Sequence, residues 1–434
     1  MTGLQTACLF VTGYLVSRLV LRAEAHLVFV GWLVGWSRGR ASRVVLGVML
    51  AAFGLSTIVP NALTVLALIP VVTRLRTWAR DAVDSDDGNR DDAGRSFGTL
   101  LAMGLIYGAN LGGVGSLLGS PANLYLLVNL SIFEIGGRES VHFLSWLVFG
   151  MPMATSLVLL GWAMLRLTER RAMATRLPGW DRQRTARNPM YGAALRWAAI
   201  WGAGWVVLLA VALIRGGGRA TGTDATWRLL GRLDVTAVDL AALAGSAVYA
   251  LVLFVRPVDT GERRAPLLRL RDLWREVPVK GVLLGLGVLV LLVVVAKSGA
   301  VKWLTGAIPH LVPTDAGLFG VALVVVLVTI FATEVLNNTT VSTVLFPLSA
   351  ALAGGVGVDP LVLMLGVSLA STCAFMTPVA TPVNALAFGG IGGISLGKFI
   401  KNGLVMNLVS AVWIAVWLTW LIPSILGWFG APGK

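Results

Sequence analysis

Charge is what this sequence has least of. Only 13% of its 434 residues are Asp, Glu, Lys or Arg, about half of the roughly 25% found in soluble domains. So few charges cannot cover a water-facing surface on a chain this long, which argues against a soluble enzyme, a disordered protein and a nucleic-acid module. Histidine is nearly missing: His26, His142 and His310 lie far apart and support no metal or acid–base centre. The two cysteines, Cys8 and Cys373, sit in apolar runs and give neither a disulfide framework nor a metal-ligand spacing. Neither H-E-x-x-H nor C-x-x-C occurs. Gly392–Lys398 mimics a phosphate loop, but Phe399 stands where Ser or Thr must bind magnesium, and no βα unit precedes it. These absences point away from an enzyme.

What is present is 56% hydrophobic, the composition of a polytopic membrane protein. Ala23-Glu24-Ala25 mimics a signal cleavage site. No positive charge falls within Met1–Gln5, however, and Arg18 and Arg22 interrupt the apolar stretch, so the segment reads as a retained membrane helix. Apolar runs fall near 3–21, 44–73, 97–130, 143–165, 197–214, 235–255, 281–301, 317–350, 361–391 and 403–424. A helix crosses the hydrocarbon in about 20 residues. The runs 44–73, 97–130, 317–350 and 361–391 exceed that, and each carries Pro, Asn or Gly near its middle. Broken backbone at membrane depth is tolerated only when buried in protein or lining a cavity. These four runs read as re-entrant hairpins or discontinuous helices.

Orientation follows from the cations. With both hairpins turning back, 26 of the 35 Lys and Arg residues collect on one face and 7 on the other, which puts the first face in the cytoplasm. A hairpin that crossed fully would scramble this asymmetry. Topology alone therefore accounts for the arginine-rich loops, and neither a nucleic-acid partner nor a lipid-specific role is expected of them. Residues 84–96 read as a solvated loop, because their aspartates lack the ligand spacing of a calcium loop. Arg18 and Lys297 are expected to snorkel to the interface, and Asp239 to sit there.

The chain repeats itself. With an offset of 277, Ser56 falls on Thr333, Asn61 on Asn338 and Pro70 on Pro347. With an offset of 261, Ser120 meets Thr381, Pro121 meets Pro382 and Asn123 meets Asn384. By the loop count the first hairpin opens to the cytoplasm and the second to the outside, so the repeats are inverted. Inverted repeats with broken helices place a binding site near the midplane of secondary transporters. Freed N–H groups attract an anion there, and carbonyl, amide and hydroxyl oxygens hold a small hard cation.

These motifs resemble the divalent-anion/sodium symporter family, which carries dicarboxylates, citrate and sulfate. The resemblance covers most of 9–166 and 279–424. It is strongest in YGANLGGVGSLLGSPANLYLL (107–127), TEVLNNTTVSTVLFPL (333–348) and the stretch 371–404. It implies an all-α polytopic membrane protein with two inverted-topology repeats, each holding a re-entrant hairpin and a discontinuous helix. It further implies an elevator-type transporter that works as a homodimer in the cytoplasmic membrane and takes a small anion with sodium. Repeat A spans 3–166, with hairpin 44–73, broken helix 97–130 and helix 143–165. A basic loop 167–196, two scaffold helices in 197–256 and a second basic loop 257–280 follow. Repeat B spans 281–424, with hairpin 317–350, broken helix 361–391 and helix 403–424.

By the same resemblance, one sodium site comprises Ser56, Asn61 and Gly119, and a second Thr333, Asn338 and Ala380. The substrate would contact Asn61, Ser120, Pro121, Asn338, Thr339, Thr381 and Pro382. Glu334 is open between a proton or cation relay and a hydrogen-bonding role. The family's Ser-Asn-Thr hairpin signature departs here to Pro60-Asn61-Ala62 and Asn337-Asn338-Thr339. Pro60 lacks an N–H donor, and the first tip loses both hydroxyls. A different anion, a sodium-independent exchanger or cation/proton antiporter, and a non-transporting binding protein all remain open. Repeat A also lacks counterparts of the two helices preceding repeat B, which predicts further helices upstream of Met1.

Overall fold

The computed structural model describes residues 3–57, 59–81, 87–117, 119–176, 188–217, 227–229, 233–259, 264–274 and 317–429, with positions 283, 287, 290 and 294. The described residues are predominantly helical. The strands among them form two small antiparallel ribbons, Trp227–Leu229 against Leu233–Val235 and Pro257–Asp259 against Arg264–Pro266. Two compact units divide the chain, one made of Met1–Trp32 and Trp180–Val277, the other of Leu33–Gly179 and Pro278–Lys434.

In the first unit, α1 (Gly3–Arg22) packs against α9 (Tyr191–Gly217) and α10 (Ala237–Val255). Leu15, Leu19, Met190 and Leu253 form part of its core. Thr12 organises the polar seam, since its hydroxyl accepts from the indoles of Trp201 and Trp205 at 2.9 and 3.2 Å. Arg18 does not snorkel as expected. It is 1% exposed and its guanidinium lies 4.9 Å from the Tyr14 ring centroid, because helices flank α1 where water was anticipated. Asp239 is likewise buried. It closes a capping box with Thr236 and accepts from Gln5 at 2.7 Å.

The second unit holds the four long runs. Helix α2 (Ala25–Ser37), in which the division falls, turns into α3 through Arg38 and Gly39 at φ 51° and 71°. The run 44–73 becomes α3 (Ala41–Ser56) and α4 (Asn61–Asp81). The run 97–130 becomes α5 (Asp87–Gly115) and α6 (Pro121–Ile132), followed by α7 (Phe143–Thr168) and the short α8 (Arg170–Ala174). The run 317–350 becomes α11 (Leu318–Thr333) and α12 (Asn338–Val356). The run 361–391 becomes α13 (Pro360–Ala370) and α14 (Pro382–Ile391). Helix α15 (Leu396–Val416), a π-helical stretch Trp417–Leu421 and α16 (Ile422–Phe429) complete the unit. Of the helix expected over 281–301, positions 283, 287, 290 and 294 are described, each helical, and the rest lies outside the described residues.

Among the described residues six helices are long and apolar enough to cross a membrane: Asn61–Asp81, Gly94–Gly115, Phe143–Thr168, Ala237–Val255, Asn338–Val356 and Leu396–Phe429. Helices α3 and α11 fall short. Each has 16 residues, about 24 Å at 1.5 Å per residue, against a hydrocarbon core of about 30 Å. Residues 87–96, expected in a loop, form the first turns of α5. Acidic residues favour a helix N-terminus, and Gly94 and Gly98 let α5 lie close over Arg80 and Arg76 of α4.

A glycine ridge on α5 brings α3 to the site. A Cβ on Gly108 would lie 2.9 Å from Ala52 Cβ, and one on Gly112 2.7 Å from Ser56 Cβ. Small residues at a spacing of four allow such close backbone approach, and here they press the end of α3 onto the end of α5.

Candidate anion and cation site

Two hairpin tips and two helix breaks carry the polar residues. At the first tip, α3 ends at Ser56, and α4 begins at Asn61. The fully buried Ser56 hydroxyl donates to Asn61 Oδ1 at 2.6 Å. Gly113 holds the other side: a Cβ there would lie 2.9 Å from Asn61 Nδ2 and 3.3 Å from the Gly119 carbonyl oxygen. Ser56, Asn61 and Gly119 thus meet around one side-chain-free position at the end of α5. The Pro60 carbonyl accepts from Leu63 and Thr64 N–H.

At the second tip, Thr333 ends α11 and donates its hydroxyl to the carbonyls of Ile330 and Thr329, at 2.7 and 3.1 Å. Among the described residues no hydrogen bond to its oxygen forms, so the lone pairs stay free. Asn337 caps α12 by accepting from Thr340 N–H at 2.7 Å. The neighbouring Asn338 is different. Its Oδ1 is buried with no hydrogen-bond partner among the described residues, an arrangement that ordinarily costs about 1–3 kcal/mol. Among the described residues no hydrogen bond joins Thr333, Asn338 and Ala380 to one another. Thr339 is exposed, and Ala380 is buried.

Each helix break ends in the same way. Ser120 caps α6 by accepting from Ala122 N–H at 3.3 Å, and Pro121 follows in the first turn. Thr381 caps α14 by accepting from Asn384 N–H at 3.2 Å, and Pro382 follows. Hydroxyl caps leading into proline are the expected start of a helix.

The residues that close the breaks are asparagines not included in the predicted site. Asn123 Nδ2 donates to the carbonyls of Gly113 and Ser116, both at 2.9 Å. Asn384 Nδ2 donates to the carbonyls of Ala374 and Thr377, at 2.9 and 3.0 Å. All three pairs of residues are 261 apart. The Oδ1 atoms then reach across: Ser368 of α13 donates to Asn123 at 3.0 Å, and Asn110 of α5 donates to Asn384 at 3.4 Å. The signal that marked both asparagines was their register in the internal repeat.

Glu334 is fully engaged. Its buried carboxylate accepts from Met376 N–H at 2.7 Å, Thr377 N–H at 2.9 Å, the Thr377 hydroxyl at 3.0 Å and Asn407 Nδ2 at 2.7 Å. Asn407 Oδ1 in turn accepts from Phe375 N–H. The second hairpin tip is thereby tied to the second break and to α15. The equivalent positions in the first half are Thr57 and Trp146, whose indole donates to Val114 O at 3.0 Å. No sequence signal distinguished Asn407.

Apolar helices of spanning length, interrupted by buried polar breaks, define an integral multi-pass membrane protein of the transporter class. The sequence model of the family described as "Citrate transporter" (CitMHS) matches residues 2–366, and the chain belongs to that family. It is similar to the sodium-dependent dicarboxylate transporter SdcS of Staphylococcus saprophyticus, 26% identical over 420 residues, covering 96% of this chain and 77% of the relative. It is also similar to the protein of the same name from Staphylococcus aureus strain bovine RF122, 28% identical over 427 residues, with 96% and 76% covered. Both relatives are named as transporters, and this chain's class is that of a secondary anion transporter.

Proposed function

We propose that this protein moves a small di- or tricarboxylate across the cytoplasmic membrane with sodium as coupling ion. The single observation that carries this reading is the pair of helix breaks held open by Asn123 and Asn384. Asn123 occupies carbonyls in the last turn of α5 and just past it, Asn384 two carbonyls of the connecting segment after α13, and the next helix starts at a capped, proline-led N-terminus. Four N-termini, those of α4, α6, α12 and α14, are then available to an anion. Helix α14 packs against α4, and α6 against α12, which interleaves the two halves around one substrate position. Asn61, Ser120, Pro121, Asn338, Thr339, Thr381 and Pro382 line it in this reading.

Sodium fits the oxygen-rich corners. Ser56, Asn61 and the Gly119 carbonyl supply one set. Thr333, Asn338 and the Ala380 carbonyl supply the other, and the unpartnered Asn338 Oδ1 supports it most directly. Glu334 acts in this account as an anchor, since four donors already occupy it. The matched lengths of α3 and α11 support two inverted repeats. We take the second unit to move as an elevator against a dimeric scaffold formed by the first.

Pro60 and Ala62 favour a second reading. A first tip without these two hydroxyls weakens half of the anion clamp while Ser56 and Asn61 remain, and exchange of anions without sodium becomes feasible. Purified protein in liposomes separates the two. Uptake of succinate or citrate driven by an inward sodium gradient supports symport. Equal counterflow with and without sodium supports exchange, and no flux in either supports neither.

A further inference from the structure

Several arginines that the sequence assigns to cytoplasmic loops, though exposed, gather around one open groove. A cavity of about 590 Å³ lies between the start of α3 and the end of α7, with Arg40, Arg166, Arg170 and Arg176 in its wall. An adjoining cavity of about 480 Å³ shares Arg40 and Arg166 and adds Arg43, Trp36 and Trp162. Arg40 and Arg176 are held opposite each other by an isolated antiparallel bridge, with Ala41 N–H donating to Thr175 O at 3.1 Å. Like charges set directly opposite are destabilising. Among the described residues none of these five arginines has a carboxylate partner. The acid in this segment, Glu169, is taken by Lys398 at 3.0 Å and Asn402 at 3.2 Å.

The walls are amphipathic. Arg166 lies over the Trp162 ring at 4.8 Å, and the Trp162 indole is fixed by donation to Ser42 O at 2.7 Å. Trp36 is 45% exposed and Leu167 64% exposed. Orientation by positive charge requires only a number of cations on one side. It requires neither paired arginines in a cavity nor tryptophans beside them. The site also lies at the end of the membrane-spanning α7, the depth of headgroups, and basic pockets between helices on the cytoplasmic side suit anionic lipid headgroups.

We propose that this cavity binds an anionic phospholipid. Its phosphate bridges Arg40, Arg166 and Arg176, which relieves their repulsion, and its acyl chain runs along Trp36 and Trp162. The occupant is a lipid rather than free phosphate because Leu46 and Trp162, each about one turn further into α3 and α7 than Arg43 and Arg166, line the cavity with apolar surface.

Native mass spectrometry of the full chain, released from phosphatidylcholine nanodiscs with and without phosphatidylglycerol, reads retention directly. The wild type is expected to retain phosphatidylglycerol over phosphatidylcholine and to gain thermal stability from it. Arg40→Gln/Arg176→Gln removes two cations and is expected to weaken retention roughly thirtyfold, whereas Arg264→Gln, outside the cavity, leaves it unchanged. If the double variant does not fold, Arg166→Gln provides the same comparison with a smaller loss. Equal retention of both lipids by the wild type, or undiminished preference in the cavity variants, overturns the proposal. So does inorganic phosphate that stabilises detergent-purified protein as much as phosphatidylglycerol does, since that outcome identifies a soluble ligand.

Discussion

Asn123 and Asn384 make the same pair of bonds. Each donates its amide to the carbonyls ten and seven residues before it, Gly113 and Ser116 in one case, Ala374 and Thr377 in the other. A helix that stops inside a membrane leaves carbonyls that water cannot reach. The non-helical segment between two half-helices has the same need, and one side chain per break satisfies two carbonyls at or beyond the helix end.

Replacing either asparagine by alanine is therefore expected to damage the site more than the fold. Hydrogen bonds between membrane helices average about 0.6 kcal/mol and reach about 1.7, so the melting temperature of Asn123→Ala or Asn384→Ala should fall by only a few degrees. Anion uptake should drop at least about tenfold, a loss of about 1.4 kcal/mol in transition-state terms, because Ser120 and Thr381 lose their register. Asp at either position should be no better than Ala, since a carboxylate cannot donate to a carbonyl.

Glu334 and Asn407 should behave as a unit. Glu334→Gln turns an acceptor toward two backbone N–H groups into a mixed amide, and hydrogen bonds to charged groups are worth about 1.5–3 kcal/mol. Both Glu334→Gln and Asn407→Ala should lower thermal stability. Their double variant should lose less than the sum, because the two share partners. Strict additivity would show that the pair is not one network.

Asn338→Ala tests the second cation corner with an unusual sign. Removing a buried, unpartnered Oδ1 should leave sodium-free stability unchanged or raised. The stabilisation that sodium gives the wild type should disappear. A variant that loses stability equally with and without sodium would mark Asn338 as structural.

Gly113→Ala places a methyl 2.9 Å from Asn61 Nδ2. It should weaken sodium activation several-fold while the protein still folds. Gly354→Ala, with open space around it, should have no effect. The comparison is made on sodium-dependence curves of uptake.

Much of the architecture was legible because polar residues are conspicuous in a sequence that is 56% hydrophobic. Asn61 and Asn338 marked the starts of α4 and α12, just past α3 and α11, which end at Ser56 and Thr333, whereas Pro70 and Pro347 lie inside α4 and α12. Other features left little trace. Helix α2 has 13 residues, too few to read as a span. The aspartates before Gly94 look like loop residues until the dipole of α5 is considered. The burial of Arg18 depends on which helices flank α1. Asn407 matches Trp146 across the repeat, and its role arises only when Glu334 and the break at 371–381 come together in space.

The account turns on coupling of an anion to sodium at the two braced breaks. The most direct test is uptake of labelled succinate or citrate by liposomes containing the purified chain under an inward sodium gradient, with Asn338→Ala alongside. The account predicts sodium-driven accumulation by the wild type and its loss in the variant. Accumulation that ignores sodium, or persists unchanged in Asn338→Ala, would contradict it.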